Sequence, residues 1–435
     1  MRFQKPREIA FRVLQLRDLR NEFTEPLLQE AFERSNLDSR DRRFVQEMVF
    51  GIVRNMRTID WFIREYSGGK DMPSEAKILI RMGIYQLLWM DKVPDHAAIN
   101  ESVDLTRKYG VGDKSGFING ILREIQRERN HLYKDIENLK KDDPPVGYSH
   151  PAWLIRHWSK LLGERDLARF LEWNNQAPRT YARVNTAVTN AEELEKRWTD
   201  EKVLFKRYEA AWAKSFDLYS IKASRAFPEL GSFQDGDFYI QDPSTLAAVS
   251  LLNPAPTDSV LDLCSAPGGK TTALAAMMNG EGQVVAADGS PDRLDLVREN
   301  IARMRIKNVV IAENISAAFS KYRTRKFDKI LIDAPCSNTG VMQRRVDLRW
   351  RISKAEVDAL QDTQLSLLRQ ITTRIKPGGM VAYSTCSIEP GENEGVVENF
   401  IKEFPDFKKM EELRLTPWKD SIDGAYVALL TFEPS

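Results

Sequence analysis

The stretch VLDLCSAPGGKTTALAA, residues 260–276, decides how the chain is read. An apolar run, a turn built on Gly268 and Gly269, and a helix-forming tail follow one another. Paired glycines let backbone approach a ligand, and the start of a helix offers N–H groups without intrahelical acceptors. Two chemistries fit such a turn. SAPGGKT supplies the end of the phosphate-cradling pattern G-x-x-x-x-G-K-[ST], but Cys264 stands where its first glycine belongs. Asp288, nineteen residues after Gly269, ends the next apolar run, where doubly wound folds place an acid on ribose hydroxyls. That pairing favours an adenosine-bearing cofactor. The loop is not G-x-G-x-x-G, which disfavours NAD and leaves S-adenosylmethionine as the common candidate. A purely structural turn with Asp288 in solvent is the other reading.

Outward from this turn the pattern repeats. SVLDL (259–263), GQVVAAD (282–288), NVVIA (308–312), KILID (329–333) and MVAYS (380–384) alternate with helical stretches such as RLDLVRENIARM (293–304). Such alternation predicts βαβ units and a parallel sheet over 241–435, with ligands at the carboxyl ends of the strands. Residues 1–140 read as six or seven amphipathic helices, for example RRFVQEMVFGIVRNMRTIDWFIREY (42–66), with Ser74 and Asp95 as candidate N-caps. DDPPVGYSHPAW (142–153) has the proline density of a linker. The rest of 141–240 mixes helical LIRHWSKLLG (154–163) with strand-like TYARVNTAV (180–188), predicting a small α+β connecting unit.

At 435 residues, two or three domains are expected, and a net charge of +1 gives no global signal for nucleic acid. The three cysteines, Cys264, Cys336 and Cys386, lie beyond residue 260, and the four histidines lie before residue 158. The C-terminal region therefore holds no Ser-His-Asp triad or histidine-ligated metal of its own, and no metal is expected. The charged N-terminus lacks a signal-peptide core, and the most apolar stretch, ILIRMGIYQLLWM (78–90), carries Arg81 and is too short to span a bilayer. A cytoplasmic protein is expected.

Three motifs in order, CSAPGGKTT (264–272), DAPCSNTG (333–340) and STCSIEPGENE (384–394), together resemble the RNA 5-methylcytosine methyltransferases. The helical N-terminus resembles a NusB-type RNA-binding bundle, which points to the Fmu/Sun/RsmB branch acting on small-subunit (16S) ribosomal RNA. The resemblance implies a NusB-like domain over 1–140, a connecting domain over 141–240 and a class I (Rossmann-like) methyltransferase over 241–435. It also implies S-adenosylmethionine as cofactor, held by Cys264, Ser265, Ala266, Pro267, Gly268, Gly269, Lys270, Asp288, Asn314 and Asp333. Asn314 stands where the family usually has Asp near the adenine, and Glu313 is its neighbouring alternative. A monomer is expected.

The chemistry gives two thiols a purpose. Cytosine C5 attacks a sulfonium methyl only after a thiolate adds at C6, and an ordinary thiol of pKa about 8.5 is mostly protonated at neutral pH. By resemblance Cys386 is the nucleophile and Cys336 serves product release, although DNA cytosine methyltransferases attack from a P-C motif instead. Asp333 is expected to face cytosine and cofactor, and Lys270 to favour the thiolate. The stretch 321–351 holds nine basic and three acidic residues. Within it Arg344, Arg345, Arg349 and Arg351 flank Trp350, a pattern suited to phosphates and stacked bases of a single-stranded or looped RNA. The rivals are the same chemistry on transfer RNA, a P-loop ATPase, and a non-catalytic RNA-binding assembly factor.

Overall fold

The computed structural model describes residues 5–321 and 324–434. The chain forms two compact units, one of residues 1–176 with 345–351, the other of 177–344 with 352–435.

The first unit is helical. α1 (Pro6–Arg20), α2 (Thr24–Glu33), α3 (Ser39–Ser67), α4 (Ser74–Trp89), α5 (Asp95–Lys108) and α6 (Ser115–Asp142) are followed by the single turn α7 (Pro144–Gly147) and by α8 (Ala152–Asn175). Apolar residues at three and four spacing give each long helix one buried stripe. Phe11, Val49, Phe62, Leu79, Ile99 and Leu122 meet in one core, and Val346 of the inserted segment joins them. α3 begins at Asp38, whose side chain accepts from Asp41 N at 2.8 Å, and ends at Gly68 in the left-handed region. Ser74 and Asp95 are not the expected caps. Each lies just inside its helix behind a proline, and Asp95 accepts instead from Gln126 Nε2 (3.1 Å) and Arg129. The expected linker is also no linker. Tyr148, Ser149 and His150 are buried, Thr58 Oγ1 donates to Val146 O at 2.5 Å, and Arg57 N donates to Ser149 Oγ at 3.0 Å.

The second unit carries two sheets. β1 (Thr180–Val184), β2 (Leu204–Tyr208), β3 (Leu218–Lys222) and β4 (Phe238–Ile240) form an antiparallel sheet in the order β2-β3-β1-β4. β5 (Ser259–Leu263), β6 (Gln283–Ala287), β7 (Val309–Ile311), β8 (Phe327–Asp333), β9 (Ile375–Thr385), β10 (Phe407–Leu415) and β11 (Ala425–Phe432) form the larger sheet, in the order β10-β11-β9-β8-β5-β6-β7. β5 through β9 run parallel, and β11 pairs antiparallel with both β9 and β10. Side chains alternate along each strand, so Val260, Val284, Leu331 and Ala382 fill one face while Leu261, Val285, Ile330 and Val381 fill the other. Both faces are covered by helices, which is why the central strands read as continuous apolar runs. The chain moves outward from β5 to β7 and returns on the other side of β5 as β8. That reversal opens a crevice at the carboxyl ends of β5 and β8, and the three sequence motifs converge there.

Candidate active site

The glycine turn follows β5 and is tied to its neighbours by backbone. Cys264 is left-handed at φ 60° and Gly268 at φ 100°. Ser265 N donates to Ala287 O at 3.1 Å, and Gly268 N to Ser265 O at 2.8 Å. The positive φ favours glycine here, and a Cβ on Gly268 would make a tight 3.3 Å contact with Val297 Cγ1. Helix Gly269–Met277 starts immediately after, its first N–H groups without intrahelical acceptors.

Three acids, Asp262, Asp288 and Asp333, lie about this turn. Asp262 is fully buried and accepts from Thr271 Oγ1 at 2.6 Å, while its Oδ1 has no partner. Burial pushes its pKa up to about 7. Asp288 is also buried, and its carboxylate already accepts from Ala266 N and Ser290 N, both at 3.1 Å. Its first task is thus to hold the turn in shape, leaving only remaining lone pairs for a ribose. The Asn314 side-chain oxygen is committed to the N–H of Ala317 at 2.7 Å, so it caps the following helix rather than standing free for an adenine. Glu313 beside it is exposed. Burial, then the charges of Asp333 and Asp288, pushes the Cys264 thiol up to about 12, which keeps it neutral.

The residues at the ends of β8 and β9 are brought together by strand register. Asp333 pairs with Ser384 across these parallel strands, so chains overrunning by three and two residues place Cys336 and Cys386 side by side. Their Sγ atoms lie 3.3 Å apart, and Cys386 Sγ donates to Asn338 Oδ1 at 3.0 Å. Asn338 Nδ2 in turn donates to Cys336 O at 2.7 Å. Lys270 Nζ donates to Asp333 Oδ2 at 2.7 Å, and Ser384 Oγ to Asp333 Oδ1 at 3.0 Å. Burial alone would lower the Lys270 pKa; the Asp333 carboxylate outweighs it, with help from Cys386 and Asp262, so the ammonium is kept charged. The hydrogen bond to Cys386, then burial, drives the Cys336 pKa well above that of an ordinary thiol.

The arginine run is where the sequence misleads. Arg344 is bound by Asp423 at 2.6 Å and Asp242 at 2.8 Å. Arg349 is buried at 0% exposure, donating to the carbonyls of Arg54, Ser149 and Asn174 and to Asn175 Oδ1. Trp350 Nε1 donates to Val53 O at 2.8 Å, and Arg351 to the carbonyls of Asn21 and Glu22. These four side chains knit protein to protein, so the expected RNA strip shrinks to Arg345, which is exposed. Tyr322 and Arg323 of the same basic stretch lie outside the described residues. Sequence reasoning also passed over Glu392, which no spacing rule singles out.

The cofactor alternatives separate on these contacts. A phosphate loop needs its threonine hydroxyl for a metal, whereas Thr271 gives its proton to buried Asp262. The unpartnered Asp262 Oδ1 and Ser265 Oγ suit a ligand bearing ammonium and hydroxyl groups. The sheet order, the glycine turn at its reversal and the acids around it define a Rossmann-like methyltransferase. Comparison with known proteins sharpens the class. A model described as 16S rRNA methyltransferase RsmB/F matches residues 249–431, the NusB family matches 4–127, and the ferredoxin-like domain of the RsmF/B-like methyltransferases matches 150–213. The chain is 31% identical over 432 residues to the probable ribosomal RNA small subunit methyltransferase B of Synechocystis sp., across 98% of this chain and 96% of that one. The corresponding Bacillus subtilis protein is 30% identical, across 92% of this chain and 89% of its own. Among solved structures, PH0851 superposes with a TM-score of 0.78 at 25% identity over 99% of both chains. A methyltransferase homolog protein from Pyrococcus horikoshii gives 0.59 at 28% identity over 67% of this chain and 98% of its own. The chain belongs to the 16S rRNA methyltransferase RsmB/F family, with a NusB-like helical domain at its N-terminus.

Proposed function

We propose that this protein methylates C5 of a cytidine in small-subunit ribosomal RNA through a covalent bond between Cys386 and C6 of the base. The observation that carries the reading is the pair of thiols 3.3 Å apart at the ends of β8 and β9, beside the Lys270–Asp333 pair. When bound, S-adenosylmethionine supplies an electrophilic methyl group. Asp262, Ser265 and the backbone from Cys264 to Gly269 would hold it, with Asp288 and Asn314 contributing beyond their structural bonds.

Cys386 adds to C6 as a thiolate, and negative charge moves into the ring toward N3. The Lys270–Asp333 pair holds a proton where that charge develops, a form of help worth roughly 3 kcal/mol. C5, now part of an enamine, would accept the methyl the cofactor supplies, and its proton then passes to a solvent water acting as base. Cys386 must finally leave as a thiolate. Cys336, kept neutral, donates its S–H toward the departing sulfur and so eases elimination. The target base has to leave its stack to reach these groups, which favours a single-stranded or looped site. Arg345 is the remaining arginine of the run proposed to meet RNA phosphate. We further propose that the protein acts as a cytoplasmic monomer, and that 1–140, 141–240 and 241–435 are its functional modules.

Cys386→Ala should abolish methyl incorporation into 16S RNA while cofactor binding survives. Cys336→Ala should accumulate a covalent RNA adduct, seen as a retarded band on a denaturing gel. Full activity of Cys386→Ala would sink the assignment, and an adduct-free Cys336→Ala would sink the release role. Bisulfite sequencing of ribosomal RNA with and without the protein identifies the cytidine.

A further inference from the structure

Glu392 lies in the PGENEG segment after Cys386 and is buried at 0% exposure. Its Oε1 accepts from Ser337 N at 2.8 Å and from Gln364 Nε2 at 3.0 Å. Its Oε2 accepts from Ser387 Oγ at 2.5 Å and from Ser337 Oγ. The two serines are the residues immediately following the two cysteines. Gln364 Nε2 also donates to Pro335 O at 2.9 Å, on the other side of Cys336. One carboxylate therefore receives a donor set drawn from both cysteine loops, and the serine hydroxyls lie 3.0 Å from each other. Tyr383 Oη donates to the Glu392 carbonyl at 2.6 Å, anchoring this residue to β9.

A buried carboxylate costs several kcal/mol to desolvate unless its lone pairs are satisfied. Here the carboxylate's partners are all donors, Ser337 and Ser387 from the two cysteine loops and Gln364 from the helix Lys354–Ile371. We propose that Glu392 is a positioning residue that sets the spacing of the Cys336 and Cys386 sulfurs by clamping the two loops together. The inference rests on the cytosine-C5 reading for its consequence in catalysis, but the spacing itself can be measured independently. A misplacement of about 1 Å in a reacting group costs on the order of a hundredfold in rate, so loosening of the clamp should be read in kcat.

The test uses the full chain, reduced and treated with diamide. The azo compound takes two electrons and two protons from the thiol pair, becoming a hydrazine and leaving a Cys336–Cys386 disulfide. The disulfide is followed by alkylation of remaining thiols and peptide mass spectrometry. Glu392→Ala should slow this cross-linking and lower kcat for methyl transfer by about a hundredfold, with the KM for RNA and the cofactor affinity unchanged. Glu392→Gln, which keeps the shape and one acceptor oxygen, should recover most of the cross-linking rate. Should Glu392→Ala lose cofactor binding, the Ser337→Ala/Ser387→Ala double variant decides, because it leaves the carboxylate and removes the two hydroxyl donors. Slower cross-linking in that variant supports the clamp; cross-linking at the wild-type rate overturns it. Cross-linking and kcat both unchanged in Glu392→Ala would likewise overturn it. Methyl transfer surviving in Cys386→Ala would overthrow the cytosine-C5 reading while leaving the cross-linking result standing.

Discussion

Replacing Arg349 by Met separates a structural arginine from an RNA-binding one. The guanidinium makes four hydrogen bonds, of 3.2, 3.3, 2.7 and 2.9 Å, to acceptors within the helical unit. Among the described residues no carboxylate pairs with it, and burial followed by repulsion from Arg54 holds its pKa well below the usual guanidinium range. Met fills much of the same space but removes those four hydrogen bonds, at roughly 1 kcal/mol each. Relief of a buried, unpaired charge returns part of this, so a net loss of about 3 kcal/mol is expected. For a unit of this size the helical transition should fall by roughly 6–12 °C, followed by circular dichroism. RNA affinity measured against salt should keep its slope, because a lost phosphate contact on a single strand would change it by about 0.7. An unchanged melting transition together with a shallower salt slope would refute the structural assignment and restore Arg349 to the RNA surface.

Two further perturbations probe the site itself. A Cβ on Gly340 would lie 2.7 Å from Cys386 O and 2.9 Å from Gly424 Cα, both backbone atoms. Gly340→Ala should therefore displace the loop carrying Cys386 and lower kcat by about a hundredfold with cofactor affinity intact; an unchanged kcat would show that this close approach is irrelevant to catalysis. Asp262, whose pKa is raised by burial to about 7, binds a proton more tightly folded than unfolded. The folded chain thus holds the extra proton between about pH 4 and 7, and stability falls as pH rises through that window. Asp262→Asn should flatten the pH dependence of the melting midpoint there, in part only, because burial raises Asp423 to about 7 as well. The same pH dependence in Asp262→Asn as in wild type would contradict the assignment.

The parts of this molecule that were legible in its sequence are those governed by local rules. Continuous apolar runs alternating with helical stretches located β5, β6 and β8, and the order of motifs placed Cys336 and Cys386 at strand ends. What escaped depends on which partner a side chain finds. GVMQRRVDLRWR reads as a solvated basic strip because spacing cannot distinguish a guanidinium facing water from one facing four carbonyl-type acceptors. The prolines of DDPPVGYSHPAW mark a chain reversal equally well whether it is buried or exposed, and here Ser149 and His150 are buried. Asn314 was matched to an adenine-facing position, but the same residue type is a good helix cap, and the cap took its oxygen. Glu392 meets Ser337 only through the pairing of β8 with β9, a contact across 55 residues.

The segment Arg345–Arg351 completes the first unit although it is encoded far beyond residue 176. Asp347 accepts from Arg17 Nε and from the first N–H of α2 at Thr24, both at 2.7 Å, and Val346 enters the core. During synthesis the helical unit must wait, with Arg17 lacking Asp347 and the carbonyls of Ser149 and Asn174 lacking the Arg349 donor, until residue 351 has left the ribosome. Chains released at residue 176 should accordingly be cleaved faster by protease than the same helices in the full chain. Equal resistance would mean that the helices mature on their own and that the insertion arrives merely as a late ornament.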